Sequence, residues 1–184
     1  MIRLLLINVS IIIIFTNCIG YSQKTLSTKK ITIEGKEMLY GAISLDQLYF
    51  DYPDWQQIEK QYKPSLKIIN QFSRNMDSIS VDIFLGTWCS DSKREVPAFF
   101  KVIHDAKLSD TIKINIWAVN RSKKLDNGLA QECNIELVPT FIFYRANREI
   151  GRIVEMPDGL LEEDMLTILP VSYTHLTLPT KRIV

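Results

Sequence analysis

Cysteine is scarce in this chain: Cys18, Cys89 and Cys133 are all there is. Three are too few to staple a fold through disulfides. With no C-x-x-C pair and no Cys/His spacing of the zinc kind, no metal site and no cofactor are expected. A surplus of one charge sign is also missing. The formal net charge is +1, which gives neither nucleic acid nor an anionic membrane surface a reason to bind. No internal repeat or low-complexity linker is present. The most apolar run, Leu4 to Phe15, is interrupted by Asn8 and Ser10 and is short for a membrane span. What the chain does have is 46% hydrophobic residues over 184 positions. That is enough to bury a sizeable core in one domain with additional segments.

The ends read differently from the middle. Residues 1–22 read as an export signal: Arg3 is the positive start, the apolar run follows, and Gly20 and Ser22 are small residues before a cut at Gln23. A rival cut leaves 1–17 as the leader and Cys18 as a lipidated anchor, similar to a bacterial lipoprotein. An uncleaved membrane anchor is the third possibility. Each places the body of the protein in the periplasm or cell envelope, soluble or lipid-anchored, in an oxidising compartment. At the far end, residues 171–184 (VSYTHLTLPTKRIV) show no helical period. Val171 to Thr180 resemble a translated sequencing adapter, so the segment is set aside as a non-native tail and His175 within it is given no role.

Between the ends, residues 23–79 form an N-terminal extension. KKITIEG, from Lys29, alternates apolar and polar residues and pairs with EMLYGAI across Gly35–Lys36 as a hairpin. Ser44 is a helix cap, and Asp54 to about Arg74 reads as helix broken at Pro64, with Leu66, Ile69 and Phe72 on one face. From Ser80 the pattern sharpens. SVDIFLG is a strand. After TWCSDSKREVP comes a helix with Val96, Phe99, Phe100 and Ile103 in one stripe. IKINIWAVN is a strand, RSKKLDN a solvated polar connection from Arg121, GLAQECNI a short helix. ELVPTFIFYR and EIGRIVE are strands about a turn at Ala146–Asn147, and GLLEEDMLTIL closes as helix with LEEDM exposed. The order β-α-β-α-β-β-α predicts parallel pairing of the first strands and an antiparallel hairpin last.

An apolar strand running into Trp88–Cys89, Pro97 eight residues past the cysteine, and Val138–Pro139–Thr140 opening the third strand resemble the thioredoxin superfamily over about Ser80 to Leu169. The resemblance implies an α/β fold for residues 80–170: a central mixed β-sheet flanked by helices, preceded by the hairpin and helical extension. It implies that Cys89 attacks disulfides, and that Pro139 is cis and places the Val138 backbone beside the sulfur, where an extended substrate pairs. Trp88, Val138 and Thr140 then contact substrate.

The chemistry has a physical basis. The nucleophile in disulfide exchange is a thiolate, and the first turn of a helix offers unpaired N–H groups and the positive end of the dipole. Ser92, one turn on, is placed to donate a hydrogen bond to the sulfur. Lys93 and Arg94 add positive charge, and Asp91 opposes them.

Two departures stand out. Ser92 occupies the place of a second thiol, so no resolving cysteine lies in the motif. Ile83 occupies the place of the family's proton-relaying carboxylate, and alternation turns Asp82 to the opposite face. Cys133 reads as a small buried hydrophobe. His104, fifteen residues past Cys89, is about 22 Å away along a straight helix and reads as a surface histidine. Tyr49, Tyr52 and Trp55 read as core contacts. The expected function is an exported monothiol protein that reduces or isomerises protein disulfides, with an external thiol resolving Cys89. The alternative is a non-catalytic binding or adaptor module of the envelope, since fold alone does not give activity. A third reading makes Cys89 a peroxide sensor.

Overall fold

The structure, a computed structural model, describes residues 28–33, 35–72 and 76–169. The expectations for the leader, for lipidation of Cys18 and for the 171–184 tail lie outside the described residues. Among the described residues, no helix is long and apolar enough to cross a membrane.

The hairpin forms as its alternation predicts: β1 (Lys29–Ile33) pairs antiparallel with β2 (Lys36–Ile43), with Gly35 at φ +73° in the turn. The extension is not a separate layer, because β2 also pairs antiparallel with β4 (Lys113–Ala118), Ile43 opposite Ile116. β3 (Ile79–Leu85) lies between β4, to which it is parallel, and β5 (Thr140–Arg145), to which it is antiparallel. β6 (Arg148–Val154) closes the far edge. The strand order is β1-β2-β4-β3-β5-β6. Ala146 and Asn147 carry φ +49° and +64° in the last turn, a conformation that a two-residue hairpin loop needs.

Alternation sorts the core into two clusters, one on each face. Ile79, Val81, Ile83 and Leu85 of β3 join the larger, against α4 (Ser90–Asp105) and α6 (Leu161–Ile168). Phe84 and Ile142 join the smaller, against α5 (Leu129–Glu132) and the chain leading to Val138. Phe99 of α4 anchors the larger cluster. Its ring stacks on Phe141 at 5.0 Å and meets Phe100 edge-on at 5.5 Å. Truncating such a buried ring to alanine costs about 3–5 kcal/mol.

Before β3, α1 (Leu45–Asp51) is capped as expected by Ser44, whose Oγ accepts the Gln47 N–H at 3.0 Å. The helix expected to run on from Asp54 is two pieces, α2 (Pro53–Gln61) and α3 (Leu66–Ile69), parted at Pro64 because proline cannot continue the ladder. Ile69 and Phe72 are buried, but Leu66 is 71% exposed, so the expected apolar face is incomplete. The LEEDM segment also differs from expectation. Glu162 is 1% exposed, because its carboxylate accepts the Tyr62 hydroxyl at 2.8 Å and the Ser65 N–H at 2.7 Å, tying the extension to α6.

Candidate active site

The strand-to-helix turn is built by its backbone. The Cys89 N–H donates to Gly86 O at 2.9 Å, and Thr87 Oγ1 accepts the Leu39 N–H at 3.2 Å, fastening the turn to β2. Gly86 is needed for space: a Cβ there would come within 2.5 Å of the Trp88 ring. That ring lies over Gly86 with its Nε1–H donating to Val119 O at 3.1 Å. Cys89 is the N-cap of α4, and its own side chain makes no cap bond to the free N–H groups of the first turn. Pro97 is accommodated inside this one continuous helix.

The Val138–Pro139 peptide is cis. Cys89 is partly buried, and its sulfur is 3.2 Å from Val138 O, to which the thiol donates, and 4.0 Å from Asp91 Oδ2. The loop carrying Val138 is itself held. Pro139 O accepts the Glu155 N–H at 2.7 Å, and Thr140 Oγ1 donates to Leu137 O at 2.8 Å. Sequence-distant Trp88, Cys89 and Val138 thus meet at one end of the sheet, packed on the smaller core cluster.

Three expected contributions differ in detail. Ser92 is fully buried and its Oγ accepts the Gly86 N–H at 3.2 Å, while the Cys89 thiol donates to Val138 O at 3.2 Å. Thr140, expected among the substrate-contacting residues, is 2% exposed. Its buried side chain bonds back to Leu137 O and supports the loop. The cations after the cysteine are already engaged. Lys93 pairs with Asp54 of α2 at 2.5 Å, and Arg94 bridges Asp91 at 3.0 Å and Glu95 at 2.6 Å. Arg94 therefore offsets Asp91 beside the sulfur, whereas Lys93 is spent on the extension.

The alternation argument for Asp82 agrees with the structure. Ile83 is wholly buried in the larger cluster, and Asp82 faces the other way, accepting the Asn115 amide at 2.6 Å. Burial pushes the Asp82 carboxyl above its ordinary range. Cys133, the C-cap of α5, is half-buried rather than fully buried. It lies beside Tyr144, near the end of β5, and its carbonyl accepts from Arg152 at 3.1 Å. Cys133 thus touches Tyr144 near the far end of β5, whereas Cys89 touches Val138 just before its start. His104 is exposed at the far end of α4. Among the described residues, no group of three or more His, Cys, Asp or Glu is placed to hold a metal ion. Sequence reasoning missed Arg121, whose guanidinium lies 5.2 Å over the Trp88 ring. Its only local signal was a cation in a turn following a strand that ends beside the motif.

With this geometry in hand, comparison with known proteins is direct. The thioredoxin family model matches residues 67–166. A thioredoxin-like protein of Acanthamoeba polyphaga mimivirus is 29% identical over 102 residues, covering 53% of this chain and 71% of that protein. A thioredoxin of Malassezia sympodialis is 32% identical over 78 residues, covering 42% of this chain and 70% of that protein. Mitochondrial thioredoxin 3 of Saccharomyces cerevisiae, solved in its oxidised form, is 25% identical with a TM-score of 0.39, covering 52% of this chain and 83% of that one.

Proposed function

The chain belongs to the thioredoxin family, and from that premise we propose that it is an exported monothiol thiol–disulfide exchange protein with Cys89 as nucleophile. The observation that carries the reading is the partly buried Cys89 at the start of α4, its sulfur 3.2 Å from Val138 O. An extended substrate that pairs its backbone N–H with Val138 O takes the acceptor that the resting thiol occupies, freeing the sulfur to act. The Cys89 thiolate then attacks the substrate's disulfide. A bond forms between Cys89 and one substrate sulfur, and the other leaves as a thiolate and gains a proton. With a hydroxyl at Ser92 in the place of a second thiol and Cys133 beside Tyr144 near the other end of β5, an external thiol supplies the second step. It attacks the mixed disulfide, and a second equivalent completes reduction of the substrate, leaving the external thiol as its own disulfide. Resolution by the substrate's own second thiol instead gives isomerisation. Export rests on the leader-like first 22 residues and on the lipidation alternative at Cys18.

The test is reduction of insulin by glutathione with catalytic amounts of the full chain. Wild type accelerates the reduction, Cys89→Ala does not, and Cys133→Ala behaves as wild type. The buried Ser92 and the apolar Ile83 motivate the alternative of a non-catalytic binding module. Equal behaviour of wild type and Cys89→Ala would establish that alternative.

A further inference from the structure

The charges around Cys89 are unevenly neutralised. On the nucleophile's own helix, Lys93 and Arg94 are both ion-paired. In the turn after β4 they are not. Among the described residues, no carboxylate lies within ion-pair distance of Arg121, Lys123 or Lys124, and Arg121 and Lys124 are exposed. The turn is nonetheless a built feature. The Lys123 N–H donates to Asn120 O at 2.9 Å, the Lys124 N–H to Asn120 Oδ1 at 3.0 Å, and Lys123 holds φ +53°. Arg121 is set against the face of Trp88, which Val119 O in turn holds in place. On the other side of the sulfur the free charge is negative. Glu136 precedes Val138 by two residues, Glu155 donates its N–H to Pro139 O, and neither carboxylate has an ion-pair partner among the described residues. The rim of the site is split, cationic over Trp88 and anionic at the Val138–Pro139 loop.

We propose that the turn from Arg121 to Lys124 is a docking rim for acidic polypeptide: a substrate segment with Asp or Glu beside its reactive cysteine, on the flank that lies over Trp88. This rests on the thiol-exchange reading and names its substrate class. A guanidinium lying on an indole face presents its edge to a carboxylate in a fixed geometry. Unpaired cations beside a cleft raise the encounter rate with anionic partners and disfavour cationic ones.

The test uses the full chain and three peptides of equal length, each with one cysteine activated as a 2-pyridyl disulfide and flanked by acidic, neutral or basic residues. Release of 2-thiopyridone from chains carrying Cys18→Ala and Cys133→Ala gives the rate of capture by Cys89. At low salt the acidic peptide is expected to react about tenfold faster than the neutral one, with the basic peptide slowest and the spread narrowing as salt is raised. Arg121→Gln is expected to shrink the acidic-over-neutral ratio. Equal rates for all three, a faster basic peptide, or an undiminished ratio in Arg121→Gln would overturn the rim and leave thiol exchange standing. A wild-type chain that captures none of the three fails as an exchange protein and takes the rim with it.

Discussion

Cys89 and Cys133 both pack against the smaller core cluster, yet one opens a sixteen-residue helix and the other closes a four-residue one. Cys89 meets the free N–H end of α4 and the carbonyl of Val138. Cys133 meets the carbonyl end of α5, with Tyr144, Asp82, Glu132 and Arg152 around it. Burial pushes the Cys133 thiol up. The charges of Asp82 and Glu132 push the same way, against the Tyr144 hydrogen bond and Arg152. The difference teaches that a thiol's use is set by where the chain delivers it. Two residues of one type and similar exposure are separated by helix polarity and by which end of β5 they touch.

Alkylation with iodoacetamide, followed residue by residue by mass spectrometry, breaks or sharpens this contrast most strongly. At neutral pH Cys89 is expected to react faster than Cys133, because a thiol pushed up by burial holds less of the reactive thiolate. Equal rates would dissolve the comparison.

Gly86→Ala acts on one side only. The added Cβ displaces the Trp88 ring beside Cys89 and breaks its bond to Val119 O. Cys89 alkylation is expected to rise roughly threefold, with a red-shifted tryptophan emission and an unchanged Cys133 rate, since losing one contact of about 0.5–1.5 kcal/mol is a factor of that order. An unchanged Cys89 rate would show that the position of the Trp88 ring has no part in Cys89 reactivity.

Asp82→Asn acts on the other side and is the smallest effect. Removing its charge is expected to speed Cys133 alkylation, because that charge opposes the Cys133 thiolate, and to leave Cys89 alone. It also tests the direction at Asp82. The folded chain holds this proton more tightly than the unfolded chain. Stability therefore falls as pH rises from the ordinary carboxylate range to the raised value, and the penalty persists above it. The substitution should raise the melting temperature at pH 7 and make little difference near pH 3. A lower melting temperature at pH 7 would show that the ionised carboxylate stabilises the fold.

The legible part of the molecule was what depends on local period and on resemblance. Strand β3, the Trp88–Cys89 turn, the α4 stripe and the opposite facing of Ile83 and Asp82 follow from alternation and helical spacing. The joining of β2 to β4 was not legible, because pairing between strands some seventy residues apart leaves no local mark. The partners of Ser92, Glu162 and Arg121 were not legible for a related reason. A hydroxyl near a sulfur, a carboxylate in a charged run and an arginine in a polar turn look solvated or poised until partners from other elements appear. Here those partners are Gly86, Tyr62 with Ser65, and Trp88.

The most direct test of the central claim is to mix the full chain with a peptide carrying a single activated disulfide, quench with acid, and map the adduct. The account predicts one peptide per chain, attached at Cys89, and released on adding glutathione. Attachment at Cys133, or a Cys89 that stays free under conditions where the unfolded chain is captured, would contradict it.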